Sequence, residues 1–336
     1  MEISTKIDID KISKTEWERL LSKTHYSNFF QSPFYYDFVR SSNFIEPFII
    51  SVSEQETISG VIVGYIQKDG GKFKQFFSRR AIINGGPLLK DDISTEALTT
   101  LLITLIKFLQ KKAIYIEFRN FFDYSKYRNE FERAHFNYEP HYNFQIDTSS
   151  EEIVMKNMGK SRKRDIKVSL RDGATIVESP TEKELFDFYQ ILKNLYSQKV
   201  KTPLFPLPFF QELNKKEWGK IFLVKYNEEI VGGTVCVGSE GSPLYEWFAC
   251  GKDGEYKNIH ASTLATFAGI QYASTHNHPC FDMMGAGKPN DGGYGVRDFK
   301  AKFGGTLVEH GRYIHICKPI LYNIGKIGVK LLKRFS

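Results

Sequence analysis

No window of about 18 apolar residues occurs in this chain, so the sequence predicts no helix that spans a bilayer. The opening stretch MEISTKIDIDKISKTEWERL lacks the apolar core of a secretory signal, and the expected location is cytoplasmic. Cysteine is scarce: Cys236, Cys250, Cys280 and Cys317 show no CxxC spacing, which argues against both a zinc site and a disulfide framework. Three of the four lie in apolar, strand-like contexts and read as buried thiols. His276 and His278 stand in a polar turn, THNHP, with no carboxylate beside them, so no metal is expected. No Ser-His-Asp or Cys-His arrangement suggests a covalent enzyme intermediate. Two nucleotide motifs are also missing. Gly285, Gly287 and Lys288 lack the Walker spacer, with Pro289 where Ser or Thr would hold magnesium. No helix opens directly on these glycines, as a dinucleotide fingerprint requires.

What remains suits a two-domain globular chain. Its 336 residues are enough for two domains of ordinary size. With 41% apolar and 25% charged residues there is material for a core and a soluble surface. Aromatics reach 15%, led by 28 Phe and 18 Tyr, which suits aromatic-lined clefts as well as cores. The net charge of +7 favours anionic partners without choosing among nucleic acid, phosphorylated metabolite and membrane surface.

The most informative stretch is FDMMGAGKPNDGGYGVRDFKAKFGG, Phe281 to Gly305. It reads as a short buried strand, a loop with Gly285, Gly287, Gly292, Gly293 and Gly295, then a basic helix that Gly304-Gly305 stops. So many glycines are conformationally costly, and such loops occur where the backbone needs φ > 0 or approaches a ligand. Arg297, Lys300 and Lys302 at its far end suggest a ligand that is anionic or develops negative charge.

The chain also reads as an old duplication. Phe48 to Gln67 alternates like a hairpin with polar residues at its turn, and Phe222 to Gly241 repeats the form. Each hairpin leads to a strand, an amphipathic helix (Ser94 to Lys111, Ala261 to Thr275), a buried strand, a short helix and a final strand pair. That order gives mixed α/β (α+β) sheets flanked by helices. It matches two tandem GNAT-like acyltransferase domains. The expected division is 1–150, 151–317 and a basic amphipathic helix over 318–336. Thr181 to Gly219 has room for two ordinary helices.

Five stretches in order carry a family resemblance: FFQSPFYYDFVR, AIINGGPLL, MGKSRKRDIKVSLRDG, YEWFACGKDGEYKN and GVRDFKAKFGG. Over nearly the whole chain they resemble the Fem (FemABX-like) family of non-ribosomal peptidyltransferases, which includes the enzymes that build peptidoglycan interpeptide bridges. The resemblance implies a twin GNAT-like fold and direct transfer from aminoacyl-tRNA to an amine of a nucleotide- or lipid-linked cell-envelope precursor, with no separate cofactor. The long coiled-coil arm of several members is missing here. Where better-known members have a basic, phosphate-binding part, this chain reads KVKTPLFPLP from Lys199 to Pro208. The alternatives are an acyl-CoA-dependent N-acyltransferase acting on an amino sugar or lipid, and a non-catalytic binding module.

Within that frame Lys300 is the expected oxyanion-stabilising cation, since a fixed donor at that position is worth about 10²–10³ in rate. Arg297, one turn earlier, and Tyr245, on the strand Leu244 to Cys250, complete the expected catalytic set. The expected substrate-binding set includes Gly285, Gly287, Lys288, Tyr294 and Lys302 of the loop and its helix. Tyr256, Lys257 and Asn258 join it from a turn whose free N–H groups would hold phosphate; that turn is not the Gly-rich loop usual for acetyl-CoA. Lys156, Lys160, Lys163, Lys167 and Arg171 recur at helical spacing, with Arg162 and Arg164 beside them. They predict one cationic stripe for tRNA or diphosphate, with Lys160, Arg162 and Arg164 as the named binders. Arg40, Glu117 and Arg119 are the first-half candidates for the acceptor. The simpler reading of every such cation is a solvated helix face.

The segment KPILYNIGKIGVKLLKRFS sets Ile320, Ile324, Ile327, Leu331 and Phe335 on one helical face, with Lys326, Lys330, Lys333 and Arg334 largely off it. This predicts a basic amphipathic helix that either lies on an anionic membrane surface or packs on its own domain.

Overall fold

The computed structural model describes residues 2–42, 45–68, 78–290 and 294–334. The first half opens with β1 (Ile3–Ile7), α1 (Lys14–Lys23) and α2 (Pro33–Ser41), followed by the hairpin β2 (Ile45–Glu54) and β3 (Thr57–Gln67). Then come β4 (Arg80–Gly85), β5 (Leu88–Leu89), α3 (Thr95–Leu109), β6 (Tyr115–Asn120), α4 (Arg128–Arg133), β7 (Asn137–Glu139) and β8 (Tyr142–Asp147). The second half runs α5 (Glu151–Asn157), α6 (Lys160–Arg171), β9 (Thr175–Val177), α7 (Glu182–Leu195), α8 (Leu207–Asn214), β10 (Gly219–Tyr226) and β11 (Glu229–Val237). It ends with β12 (Leu244–Gly251), α9 (Ala261–Thr275), β13 (Cys280–Asp282), α10 (Tyr294–Ala301), β14 (Thr306–Glu309), β15 (Arg312–Ile316) and α11 (Pro319–Arg334).

The duplication is visible in a shared irregularity. In the first hairpin, Val52 faces Gly60 and Ser53 faces Ile58, so Ser59 is an extra residue. In the second, Val224 faces Gly232 and Lys225 faces Ile230, so Val231 is the extra one. Both turns hold two residues at positive φ, Gln55-Glu56 and Asn227-Glu228, the arrangement whose twist suits tight hairpins. A Cβ at Gly60 would stand 2.9 Å from Leu101 Cδ2 of α3, so the glycine lets the helix sit down on the bulge.

Both sheets then take a strand from the other half. The first has the order β1-β2-β3-β4-β6-β15-β7, with β5 on β3; the second has β14-β8-β13-β12-β11-β10-β9. Thus β8 lies between β13 and β14, and β15 lies between β6 and β7. The two compact units are therefore 1–140 with 310–336, and 141–309. This corrects the expected cuts at 150 and 317, because the final strand of each half bonds into the sheet of the other, and α11 goes with the first unit. Between α6 and β10 the chain forms α7 and α8, of 14 and 8 residues, and no long arm.

Each unit has its own core. In the first, Ser94 caps α3 by accepting from Ala97 N, and Leu98, Leu101, Leu102, Leu105 and Leu109 pack against Ile50, Val52, Ile62 and Phe118. In the second, α9 is buried nearly all round, through Ala261, Leu264, Ala265, Ala268, Ile270 and Ala273. The sequence predicts an amphipathic helix here; α9 instead carries small residues on the sides that meet its neighbours. Gly269 leaves room for Phe281 and Cys236 to close on it. Among the described residues no helix is long and apolar enough to cross a membrane.

Candidate active site

The two units differ at their parallel strand pair. In the first, β4 and β6 stay in register over six pairs, from Arg80–Tyr115 to Gly85–Asn120. In the second, β12 and β13 pair only at Leu244–Phe281 and Tyr245–Asp282, and beyond these residues the strands part. A bulge places Trp247 out of register with β11 just after the parting point. The parting exposes main-chain groups that a closed sheet would consume.

A buried polar net joins the end of β13 to β8. Asn143 of β8 donates to Asp282 Oδ1 (2.7 Å), and its own Oδ1 accepts from Phe144 N (2.8 Å) and Gly285 N (2.7 Å). Asp282 also accepts from Gln145 (3.1 Å) and from Met284 N (2.8 Å). These bonds turn the N–H groups of residues 284 and 285 toward Asp282 and Asn143. Met284 (φ 52) and Gly285 (φ 112) take the left-handed conformations this demands. The carbonyls of Met283 and Gly285 face the other way, and Lys300 Nζ donates to both, at 2.8 Å for Gly285. Among the described residues those carbonyls take two of the three ammonium N–H groups, leaving one for a further acceptor.

Two buried carboxyl groups favour the charged form of this lysine. Asp282 is 1% exposed and Glu246 of β12 is buried, with Thr266 donating to Glu246 at 2.8 Å. Burial lowers the Lys300 pKa from its ordinary value, and Glu246 and then Asp282 oppose the shift. Burial likewise raises Glu246 and Asp282; Lys300 and hydrogen bonds oppose it at both. Tyr245 is also buried, and burial together with the Asp282 charge pushes its hydroxyl well above the ordinary value, so it stays protonated. Glu246, Asp282 and Asn143 are absent from the sequence reading. A carboxylate inside a strand pattern flanked by apolar residues was the signal available.

Arg297 is a loop clamp. Its guanidinium donates to the carbonyls of Ala286 (3.3 Å), Lys288 and Pro289 (3.4 Å) and sits 4.9 Å from the Tyr142 ring centre. This holds the glycine loop in shape, a structural role beside the catalytic one that the sequence predicts for Arg297. Gly287 is at φ 83 and its carbonyl accepts from Tyr142 N. The Lys288 and Lys302 side chains are exposed, and the Lys302 carbonyl accepts from Gly159 N (2.9 Å). Gly292, Gly293 and the Tyr294 side chain lie outside the described residues.

The cationic stripe is interrupted. Met158 and Gly159 are extended, ending α5 and starting α6, because the chain at Lys302 to Gly304 packs into that junction. Lys156, Lys160, Arg164, Lys167 and Arg171 are exposed, Lys163 is half-buried and Arg162 turns inward. Arg162 donates to Thr263 Oγ1 (2.8 Å) and to Phe299 O (3.0 Å), so the sequence expectation of a substrate contact at Arg162 is corrected to a brace on α10.

The turn before α9 is corrected too. Tyr256 donates to Glu229 (2.8 Å) and Asn258 to Asp172 (2.8 Å), while Lys257 is exposed. Ser262 N at the start of α9 donates to the Asp253 carboxylate (3.0 Å), which places an anion where a phosphate was expected. The segment from Lys199 to Pro208 contributes Phe205, whose ring is 5.8 Å from Trp247 and 4.2 Å from Phe209.

In the first unit Glu117 lies between Arg119 (3.2 Å) and Arg312 (2.5 Å). Burial alone would raise its carboxyl; Arg119, Arg312 and Arg80 outweigh that and bring it down to about 2. Arg312 arrives on β15, so this group exists only because of the strand exchange. Arg40 is exposed in the last turn of α2, away from these residues in the sequence of elements.

Residues 212–328 match the model of the FemAB family. The chain resembles the Fem family over that stretch. The structure of FemX, 13% identical, superposes with a TM-score of 0.68 over 96% of this chain and 99% of that one. A tandem GNAT protein from the clavulanic acid biosynthesis pathway, 11% identical, gives 0.59 over 94% and 99%. L-PGS from Bacillus licheniformis, 15% identical, gives 0.52 over 80% and 85%. No curated protein matches the sequence. The fold of this chain is thus two tandem GNAT-like domains, and its similarity to the FemAB family points to an acyltransferase.

Proposed function

We propose that this protein is an aminoacyltransferase that moves an amino acid from aminoacyl-tRNA to an amine of a cell-envelope precursor, acting in the cytoplasm. The observation that carries the reading is the Lys300 ammonium, fixed by two carbonyls just past the end of β13, with one N–H left over among the described residues. The amine nitrogen attacks the ester carbonyl carbon, and the carbonyl π pair moves to oxygen. The remaining Lys300 N–H receives that oxyanion, and Tyr245 is a protonated donor on the neighbouring strand. Collapse forms the amide and breaks the bond to the ribose oxygen. The proton lost by the amine balances the one gained by the departing hydroxyl, so the step needs no cofactor.

The exposed cations of α5 and α6 suit the phosphates of tRNA, and their contribution is salt-sensitive. Glu117, Arg119 and Arg40 are the acceptor candidates. A CoA donor is disfavoured by Asp253, whose carboxylate holds the N-terminus of α9 against a diphosphate. The similarity to the FemAB family supports an envelope acceptor, of the peptidoglycan type that this resemblance implies.

The test supplies purified protein with total tRNA charged with labelled amino acids, or with labelled acetyl-CoA, and an extract of envelope precursors. Label should reach a precursor only from charged tRNA and only when Lys300 is intact. Label from acetyl-CoA, or full transfer by Lys300→Met, overturns the proposal.

A further inference from the structure

Helix α11 presents an apolar stripe to solvent. Ile320 is 76% exposed, Ile324 50% and Ile327 60%, and their spacing of four and three puts them on one face. The helix is nonetheless anchored. The Tyr322 ring meets Tyr115 edge-on at 5.3 Å, and Lys318 Nζ reaches the carbonyl of Lys111 at the end of α3 (3.4 Å). The packed face is thus already used, and the isoleucines are the face left over. Three such residues in a row are more than scattered surface hydrophobics need.

Along the helix itself the charge has one sign, while Glu139 and Glu117 act on its packed side at Tyr322. From Pro319 to Arg334 the sequence holds Lys326, Lys330, Lys333 and Arg334 and no acidic residue. Lys318 adds a fifth cation, and its bond to Lys111 brings the exposed Lys107 and Lys111 of the α3 end to the same region. A second copy of the chain docking about a two-fold axis would set these cations against each other, which is repulsive. An anionic lipid surface satisfies both features, since isoleucines enter the acyl boundary while lysines remain at the headgroups.

We propose that α11 docks the protein on an anionic bilayer, lying in the interface plane. The helix is not a membrane span, so the attachment is reversible and grows with the fraction of anionic lipid. This inference does not depend on the identity of the acyl donor.

The experiment is sedimentation of the full chain with vesicles of phosphatidylcholine alone or mixed with phosphatidylglycerol. Binding is expected to the mixed vesicles, weakened by salt, and reduced at least ~10-fold by combining Ile320→Ser, Ile324→Ser and Ile327→Ser. The thermal transition of that variant should match the parent, and so should its transfer to a water-soluble acceptor. Equal binding to both vesicle types, or unchanged binding by the serine variant, overturns the proposal. So does a change of oligomeric state on substitution, which would assign the stripe to a second copy. No transfer by the parent protein, with its binding to mixed vesicles present, counts against the transferase reading and leaves this one standing.

Discussion

The Arg162 guanidinium donates to the carbonyl of Phe299 at 3.0 Å and lies 4.2 Å from the centre of the Phe299 ring. Phe299 precedes Lys300, so this contact from α6 sets where α10 places its lysine. Gly159 N on Lys302 O braces the other side of Lys300. Arg162→Leu is expected to slow transfer by roughly 10–100-fold with a smaller change in KM, because small misplacements of a catalytic group are costly. Amide exchange at Phe299 to Phe303 should quicken in parallel. A collapse of rate with exchange unchanged would instead put Arg162 on the substrate.

Lys300→Met should lower transfer by about 10²–10³ while leaving the fold intact. The pH dependence gives a second reading. Burial holds the Lys300 pKa below the ordinary 10.5, so the parent should lose activity as pH rises through that lowered value. The methionine variant should lack this basic limb. Between the folded and the ordinary value the unfolded chain binds more protons, so stability rises with pH across that window. The variant should lose that slope as well, which denaturant titration at several pH values would reveal.

Asn143→Ala leaves Gly285 N–H without its acceptor and removes a donor from Asp282. A cost of about 1–3 kcal/mol is expected from unsatisfied buried groups. Because the same bonds aim the Met283 and Gly285 carbonyls at Lys300, transfer should fall further than the loss of folded protein explains. Equal losses in urea titration and in rate would confine Asn143 to a purely structural role.

Glu117 has its carboxyl brought down to about 2 from the usual 4.5. A depressed carboxylate contributes stability that is present above the ordinary value and lost as pH falls toward the folded one. The parent should therefore weaken between about pH 4.5 and 2, and Glu117→Gln should flatten that portion of the curve. At neutral pH the variant should cost about 3–5 kcal/mol, since Arg119 and Arg312 lose their shared partner. A variant as stable as the parent at pH 7 would show that the arginines find water or another anion.

Much of the fold is legible along the chain because its causes are local. Alternation from Phe48 to Gln67 and from Phe222 to Gly241, with two polar residues at each turn, marks both hairpins. Gly60 and Gly232 mark their bulges, and Ser94 marks a helix start. The glycines of the loop announce φ > 0, which Gly285 and Gly287 adopt. The Lys300 expectation came from family resemblance, and the structure supplies the carbonyls that surround it.

The candidate site is only partly legible for the opposite reason. Arg162 is one of seven cations in a basic stretch, and nothing in its neighbours distinguishes the one that turns inward. Its partners Thr263 and Phe299 are 101 and 137 residues away. Asn143 and Asp282 are 139 residues apart and look unremarkable until β8 lies beside β13.

The sequence by itself determined the order of elements, the duplicated hairpins and the glycine-dependent loop, because backbone sterics and residue period act over a few positions. Only the tertiary structure decided which sheet receives β8 and β15, where the units divide, and which charges are buried. A period of two assigns a strand's faces but not its neighbour. That choice rests on hydrogen bonds and packing between residues far apart in the chain, and the strand exchange that gathers Asn143 with Asp282 and Arg312 with Glu117 is its result.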